Sequence, residues 1–245
     1  MTPPLPHTAE ATLGGCEPVL PRTHTIPHYL EQAYWWAYVH PRAVHIFERE
    51  WLVNSILFGN YSHLRDTALA ELGSTVTGHT LQVACVYGNL TMKLRERLAP
   101  DAKLDVVDIL PIQLKNLAAK MPADERVAMI QSDSSALPMA DASVDKVLLF
   151  FLLHEMPEAV RRGTLAEAMR VCKPGGRVVI VDYHKPKLWH PMRLLMRLVF
   201  SRLEPFAMDL WRNELGAFFP EGIRLAAMKK STFFGGLYQM LVIER

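Results

Sequence analysis

The stretch Leu81-Gln82-Val83-Ala84-Cys85-Val86-Tyr87-Gly88-Asn89-Leu90 decides the fold of this chain. An apolar β run, Thr80 to Val86, breaks at Gly88 into an amphipathic segment from Leu90 to Leu98 that Pro100 closes. That is the sequence form of a strand turning into a helix beneath a nucleotide-like ligand. Such turns usually carry several glycines, because the backbone bends tightly and approaches the ligand closely. Here Gly88 is the glycine that remains, and Ala84, Val86 and the bulky Tyr87 occupy positions where small residues are expected.

Downstream, strand and helix patterns alternate. Lys103 to Asp108 reads as a second strand and Pro111 to Lys120 as a helix with proline in its first turn. Val127 to Gln131 reads as a third strand. Val144 to Leu152 is apolar on both faces, as a central parallel strand should be. Pro157 to Val171 reads as a helix, Pro174-Gly175-Gly176 as a turn and Arg177 to Asp182 as a fifth strand. Phe233 to Tyr238 and Gln239 to Ile243 finish the sheet. The succession predicts an α/β, Rossmann-like fold with a mostly parallel seven-stranded sheet, an antiparallel last strand, and a ligand at the carboxyl ends of the strands.

Upstream, residues 1–27 carry six prolines and little periodicity, and are expected to be a flexible lead. Residues 28–77 form an aromatic helical cap or lid. Val44, Phe47, Trp51 and Ser55 fall at helical spacing after Pro41, and a further helix from about Ser62 ends at Gly73. Residues 78–184 are the ligand-binding core. Residues 185–220 form an amphipathic insertion, and 221–245 the closing strands. Within the insertion Lys185, Lys187, Arg193, Arg197, Arg202 and Arg212 outnumber Glu204, Asp209 and Glu214, while Trp189, Met192, Leu195, Met196 and Val199 can share one helical face. Such a segment can lie at an anionic bilayer surface or simply cover the domain with a solvated charged face.

Composition narrows the function classes. The chain has 245 residues, half of them hydrophobic, and a formal net charge of +2, which argues against a dedicated nucleic-acid binder. Cys16, Cys85 and Cys172 match neither a zinc spacing nor a disulfide framework, so a reducing cytosol is expected. There is no apolar run of about 18 residues and no basic start followed by an apolar stretch, so neither a spanning helix nor a secretory signal is expected.

Candidate site residues follow from position. Asp108 ends the second strand twenty residues after Gly88, where a carboxylate accepts hydrogen bonds from a ribose diol or caps the following helix. Ile109 fits an adenine face or the core. Ser132-Asp133-Ser134 ends the third strand, and Asp133 suits an adenine amine or an Asx-turn. Asp108, Asp133, Asp182, His154, Glu155 and His184 fall at or near strand ends and are candidate metal ligands, each with an ordinary alternative. Tyr34, Trp35, Trp36 and Tyr38 offer stacking surface; three consecutive aromatics cannot all face one core.

The chain resembles the class I S-adenosylmethionine-dependent methyltransferases over roughly residues 78–184. The resemblance runs through TLQVACVYGNLT, LDVVDILPIQL, MIQSDSSALPMADASVDKVLLFFLLHEMP and EAMRVCKPGGRVVIVDY. It implies that Gln82, Val83, Ala84, Val86, Tyr87 and Gly88 line the methionine part of the cofactor. Asp108 would face the ribose, and Ile109, Ser132, Asp133 and Ser134 the adenine, with Phe150 beside them. Gln82 stands where that family carries an acid. This departure, those at Ala84, Val86 and Tyr87, and the stretch YLEQAYWWAYVHPRAVHIFEREWLVNSILFGNY make the chain similar to the rhodoquinone-biosynthesis methyltransferase-like enzymes. The resemblance implies conversion of ubiquinone to rhodoquinone by exchange of a ring methoxy group for an amino group. It also implies S-adenosylmethionine as amino donor, stimulation by manganese (Mn2+), and a cytoplasmic place peripheral to an inner membrane. Tyr87, His154 and Tyr38 are the expected catalytic residues; Tyr34, Trp35, Tyr38, Tyr61 and His154 are expected to meet the quinone. The alternative is methyl transfer to a prenylated quinone or phenol precursor.

Overall fold

The computed structural model describes residues 26–34, 47–223 and 225–245. Seven strands pair in the order β3-β2-β1-β4-β5-β7-β6. They are β1 (His79–Val83), β2 (Lys103–Asp108), β3 (Val127–Gln131), β4 (Val144–Phe150), β5 (Cys172–Tyr183), β6 (Ala227–Phe233) and β7 (Tyr238–Glu244). β1 to β5 run parallel, and β7 is antiparallel to both β5 and β6. The order reverses between β1 and β4, so the chain leaves the two central strands toward opposite sides. A cleft opens at their carboxyl ends, where doubly wound sheets bind ligands.

The sheet is buried on both faces, which explains the unbroken apolar runs. Leu81, Val83, Val107, Val147, Leu149, Val178 and Ile180 pack on one face with Leu165 and Met169 of α6 (Glu158–Val171). Leu104, Val106, Leu148, Phe150, Val179 and Val181 pack on the other with Leu64, Leu69 and Leu72 of α3 (Tyr61–Leu72) and Leu94 of α4 (Leu90–Glu96). α5 (Pro111–Lys120) starts with proline in its first turn. Ahead of the sheet lie α1 (His28–Ala33) and α2 (Glu50–Ile56); the insertion carries α7 (Arg193–Arg202) and α8 (Asp209–Arg212).

Three sequence expectations shift. The penultimate strand runs from Ala227 to Phe233 rather than from Phe233 to Tyr238, because Phe234–Gly236 forms a tight turn with Gly235 at φ +61°. Pro174-Gly175-Gly176 lies within β5, beside an irregular register against β4, rather than before the strand. Phe47 and Trp51 do not share one buried helical face: Phe47 stacks on Tyr87, and Trp51 is 63% exposed.

α3 fixes the strand-to-helix turn. The first amides of a helix have no intrahelical acceptor. In α4 the Tyr61 hydroxyl oxygen accepts from Asn89 N–H (2.9 Å) and Leu90 N–H (3.1 Å). Gly88 sits at φ +85°, and a Cβ there would lie 2.6 Å from Tyr61 Oη, so the surviving glycine is required twice over. Ala84 adopts φ +71° without that freedom, a strained state for a residue with a Cβ. Tyr61→Phe keeps the ring and removes the acceptor. It should lower stability by about 1–2 kcal/mol in urea unfolding, and unchanged stability would show that the cap contributes nothing.

Candidate active site

A cavity of about 660 Å³ occupies the cleft. Its walls come from the 84–87 turn, the carboxyl ends of β2, β3 and β4, α2, and α7 of the insertion. The volume lies within the range of small-molecule sites.

The turn is built from neighbours that differ from those of a glycine-rich loop. Tyr87 Oη accepts a hydrogen bond from Gln113 Nε2 (2.9 Å), and its ring stacks on Phe47 with centroids 6.0 Å apart. Burial pushes the Tyr87 phenol pKa above its ordinary value. Ala84, Cys85, Val86 and Tyr87 all line the cavity. Gln82, Val83 and Gly88 sit behind it. Gln82 Nε2 donates to Ala84 O (3.0 Å) and Thr91 Oγ1 (2.9 Å), so the amide braces the turn rather than facing the ligand space. Gly88 is occupied by Tyr61 on its Cα side, by Glu48 at its N–H and by Lys120 at its carbonyl. Glu48 also binds Asn116 and Lys120 of α5, and Glu50 binds Asn89 and Arg65. Two acids ahead of α3 thus tie their segment to the turn and the helix beside it.

The strand ends behave as mixed cases. Asp108 lines the cavity, and it also accepts Cys85 N–H (2.7 Å) and Leu110 N–H (2.8 Å), tying the turn to the start of α5. Burial raises its pKa to about 6. Asp133 lines the cavity and closes an Asx-turn on Ser135 N–H (2.8 Å) and Ser135 Oγ (2.7 Å). Ser132, Ser134 and Ile109 line the cavity as well, with Ser134 Oγ 2.8 Å from Thr164 Oγ1. Phe150 and Tyr61 meet edge to face at the cavity wall, 6.2 Å between centroids. Tyr34 does not line the cavity. It is buried with Leu30 and Leu110, its hydroxyl against Glu204, because α1 packs on the start of α5. Trp35, Trp36 and Tyr38 lie outside the described residues.

Sequence reading missed the company that His154 keeps. His154 Nδ1 lies 2.9 Å from Asp182 Oδ1, and Nε2 lies 3.8 Å from Glu155 Oε1 and 4.0 Å from Glu204 Oε2. Tyr183 packs on the imidazole at 4.7 Å. Burial alone would lower the His154 pKa; Asp182, with Glu204 and Glu155, outweighs it and raises the pKa to about 9. Burial in turn raises the Glu204 pKa. Arg161, fully buried, organises this corner: its guanidinium donates to Leu153 O (2.8 Å), Met156 O (2.8 Å) and Phe206 O (3.0 Å) and lies 3.6 Å from Asp209. Glu204 was visible in the sequence only as one of three acids in a basic segment.

The Asp182–Tyr183–His184 run does not fit a manganese ion. Asp182 accepts Leu153, His154 and Tyr183 N–H groups as well as facing the imidazole. His184 is taken by Gly236 O and Lys230 Nζ. Among the described residues no group of three or more His, Cys, Asp and Glu is arranged to hold a metal.

A raised histidine pKa stabilises the folded state fully below the unfolded value near 6.5 and loses that contribution as pH rises through about 9. The unfolding free energy should therefore fall between those limits, and His154→Gln should flatten the slope. An equal slope in the variant would remove His154 as its source.

A methyltransferase domain family matches residues 80–176. The chain is 30% identical to the demethylmenaquinone methyltransferase of Thermus thermophilus over 173 residues, which cover 66% of this chain and 76% of that one. It is 29% identical to a demethylmenaquinone methyltransferase of Staphylococcus aureus over 137 residues, so the match spans little more than half of either, 56% of each. Human N-acetylserotonin methyltransferase in complex with S-adenosylmethionine shares the fold at a TM-score of 0.60 and 16% identity, over 90% of this chain and 60% of that one. The strand order, the cleft at its switch point and these similarities agree: the chain belongs to the S-adenosylmethionine-dependent methyltransferase family.

Proposed function

We propose that this chain converts ubiquinone to rhodoquinone, exchanging a ring methoxy group for an amino group with S-adenosylmethionine as amino donor. The observation that carries the reading is the pair Val86 and Tyr87, which line the cavity at the bend where the family resemblance calls for small residues. Tyr87 is held there by Gln113 and Phe47, so the bulk is built in. Methyl transfer needs the reacting atoms aligned at roughly 3–3.5 Å. Side chains at that bend would displace a bound methionine part from such a line and would leave its amino end toward the substrate.

The cavity fits the cofactor. Asp108 would hold the ribose, Asp133 with Ser132 and Ser134 the adenine edge, and Ala84 to Tyr87 the methionine part. When bound, S-adenosylmethionine supplies the transferred nitrogen. His154 holds a proton above neutral pH at the cavity wall and would donate it to a ring oxygen of the quinone, with Asp182 orienting the imidazole. The wide apolar lining from α2, α7 and the aromatics of β4 suits a quinone ring with a lipid tail. The relatives' names, which carry a quinone, support that substrate class. A lipid-tailed substrate suits a chain that works at the cytoplasmic surface of an inner membrane. Manganese enters no step, since the described residues offer it no fitting site.

Methyl transfer to a prenylated quinone or phenol precursor is the second reading, favoured by those same names. Mass spectrometry of quinones from cells expressing the chain separates the two: amination lowers the mass by the difference between a methoxy and an amino group, and methylation raises it by a methylene. Val86→Gly with Tyr87→Thr should lose amination at least about tenfold and gain methyl transfer; unchanged amination would overturn the role of the bulky bend. Calorimetric affinity for S-adenosylmethionine should fall as pH drops through about 6, where Asp108 gains a proton. Asp108→Asn should weaken binding about tenfold or more and remove that pH dependence. Equal affinity in the variant would take Asp108 out of the cofactor site.

A further inference from the structure

A helix on a protein surface normally turns polar side chains outward. α7 does not. Met196 and Phe200 point into the core, yet Leu194 is 77% exposed and Leu198 55%. The turn before the helix adds Leu188 and Trp189, 83% and 74% exposed. Lys187 Nζ lies 5.6 Å from the Trp189 ring centre. α2, which also borders the cavity, leaves Trp51 and Ile56 exposed.

This apolar surface is continuous with the cavity. Ile56, Leu195 and Leu203 line the cavity and are themselves exposed, so its rim is apolar. Clustered exposed apolar side chains mark an interaction site, and the charges say which kind. The acids of the insertion are engaged: Glu204 faces the cavity, Asp209 pairs with Arg161 and Arg212, and Glu214 binds Lys230. Arg197 and Arg202 are exposed and make no ion pair among the described residues. Leucines and a tryptophan fringed by unneutralised cations match the interface of an anionic bilayer, with the indole at headgroup depth.

We propose that the rim formed by α2, α7 and the 187–189 turn docks on an anionic lipid bilayer, and that an apolar-tailed substrate passes from bilayer to cavity beside Ile56, Leu195 and Leu203. Docking stands on the surface alone; the passage of substrate rests on the quinone reading above.

Flotation of the full chain with vesicles tests it. The wild type should float with phosphatidylcholine vesicles containing phosphatidylglycerol and much less with phosphatidylcholine alone. Trp189→Ser/Leu194→Ser/Leu198→Ser should bind anionic vesicles at least about tenfold more weakly, and so should Arg197→Glu/Arg202→Glu, whose residual binding should lose its salt dependence. None of these side chains lines the cavity. Thermal melts and S-adenosylmethionine affinity should match the wild type. Both variants should turn over a short-tailed, water-soluble quinone normally and lose turnover of a long-tailed quinone in vesicles. A wild type that stays with the soluble fraction, variants that float like it, or a solution dimer that hides Trp189 from vesicles would overturn the docking surface. Flotation without turnover of any quinone would leave docking standing and sink the quinone reading.

Discussion

The hydroxyl of Tyr61 takes two amides that the first turn of α4 cannot satisfy itself. This contact joins the segment ahead of the sheet to the turn that shapes the cleft. Gly88 must lack a Cβ for the hydroxyl to reach, and Arg65 on the next turn of α3 reaches Asn89. Glu48 and Glu50 then bind the same turn from the lid side. In a glycine-rich loop the backbone alone sets the ligand bed. Here a tyrosine, an arginine and two glutamates brace the turn from outside at Gly88, Asn89 and Leu90.

That substitution of support has a chemical side. The cavity is bounded at one end by a stiffened bend and at the other by an imidazole held between carboxylates. Asp182 is consumed by backbone amides and by His154 Nδ1, so it orients the ring and leaves Nε2 toward Glu155 and Glu204. Both ends are dry. Low dielectric surroundings strengthen charge interactions and raise the penalty for leaving charges without partners. The cluster keeps its charges close together, and the cavity between remains mostly apolar.

The sheet was legible because its signals are local. Central strands such as Val144–Phe150 are apolar on both faces, and the breaks at Gly88 and Pro111 mark where helices begin. Asp108 and Asp133 were legible as cavity residues for the same reason: Asp108 ends β2 and Asp133 follows closely on β3. The Asx-turn that the sequence left open for Asp133 is present, whereas Asp108 accepts the amides of Cys85 and Leu110 ahead of α5 rather than capping that helix. Gln82 looked like a ligand contact by alignment of position, but alternation along β1 turns it to Thr91. Glu48 and Gln113 carried no signal, and nothing local tied Glu204 to His154, since these contacts join residues far apart along the chain. Trp51 misled because helical spacing says which residues share a face, not whether that face is covered.

Arg161 gives the molecule a mechanical property. One guanidinium, sunk without solvent contact, grips the carbonyls of Leu153 and Met156 on either side of His154 and the carbonyl of Phe206 just past Glu204. The insertion and the imidazole-bearing turn are thereby geared together. Displacing the insertion therefore strains the same guanidinium that holds the backbone around His154.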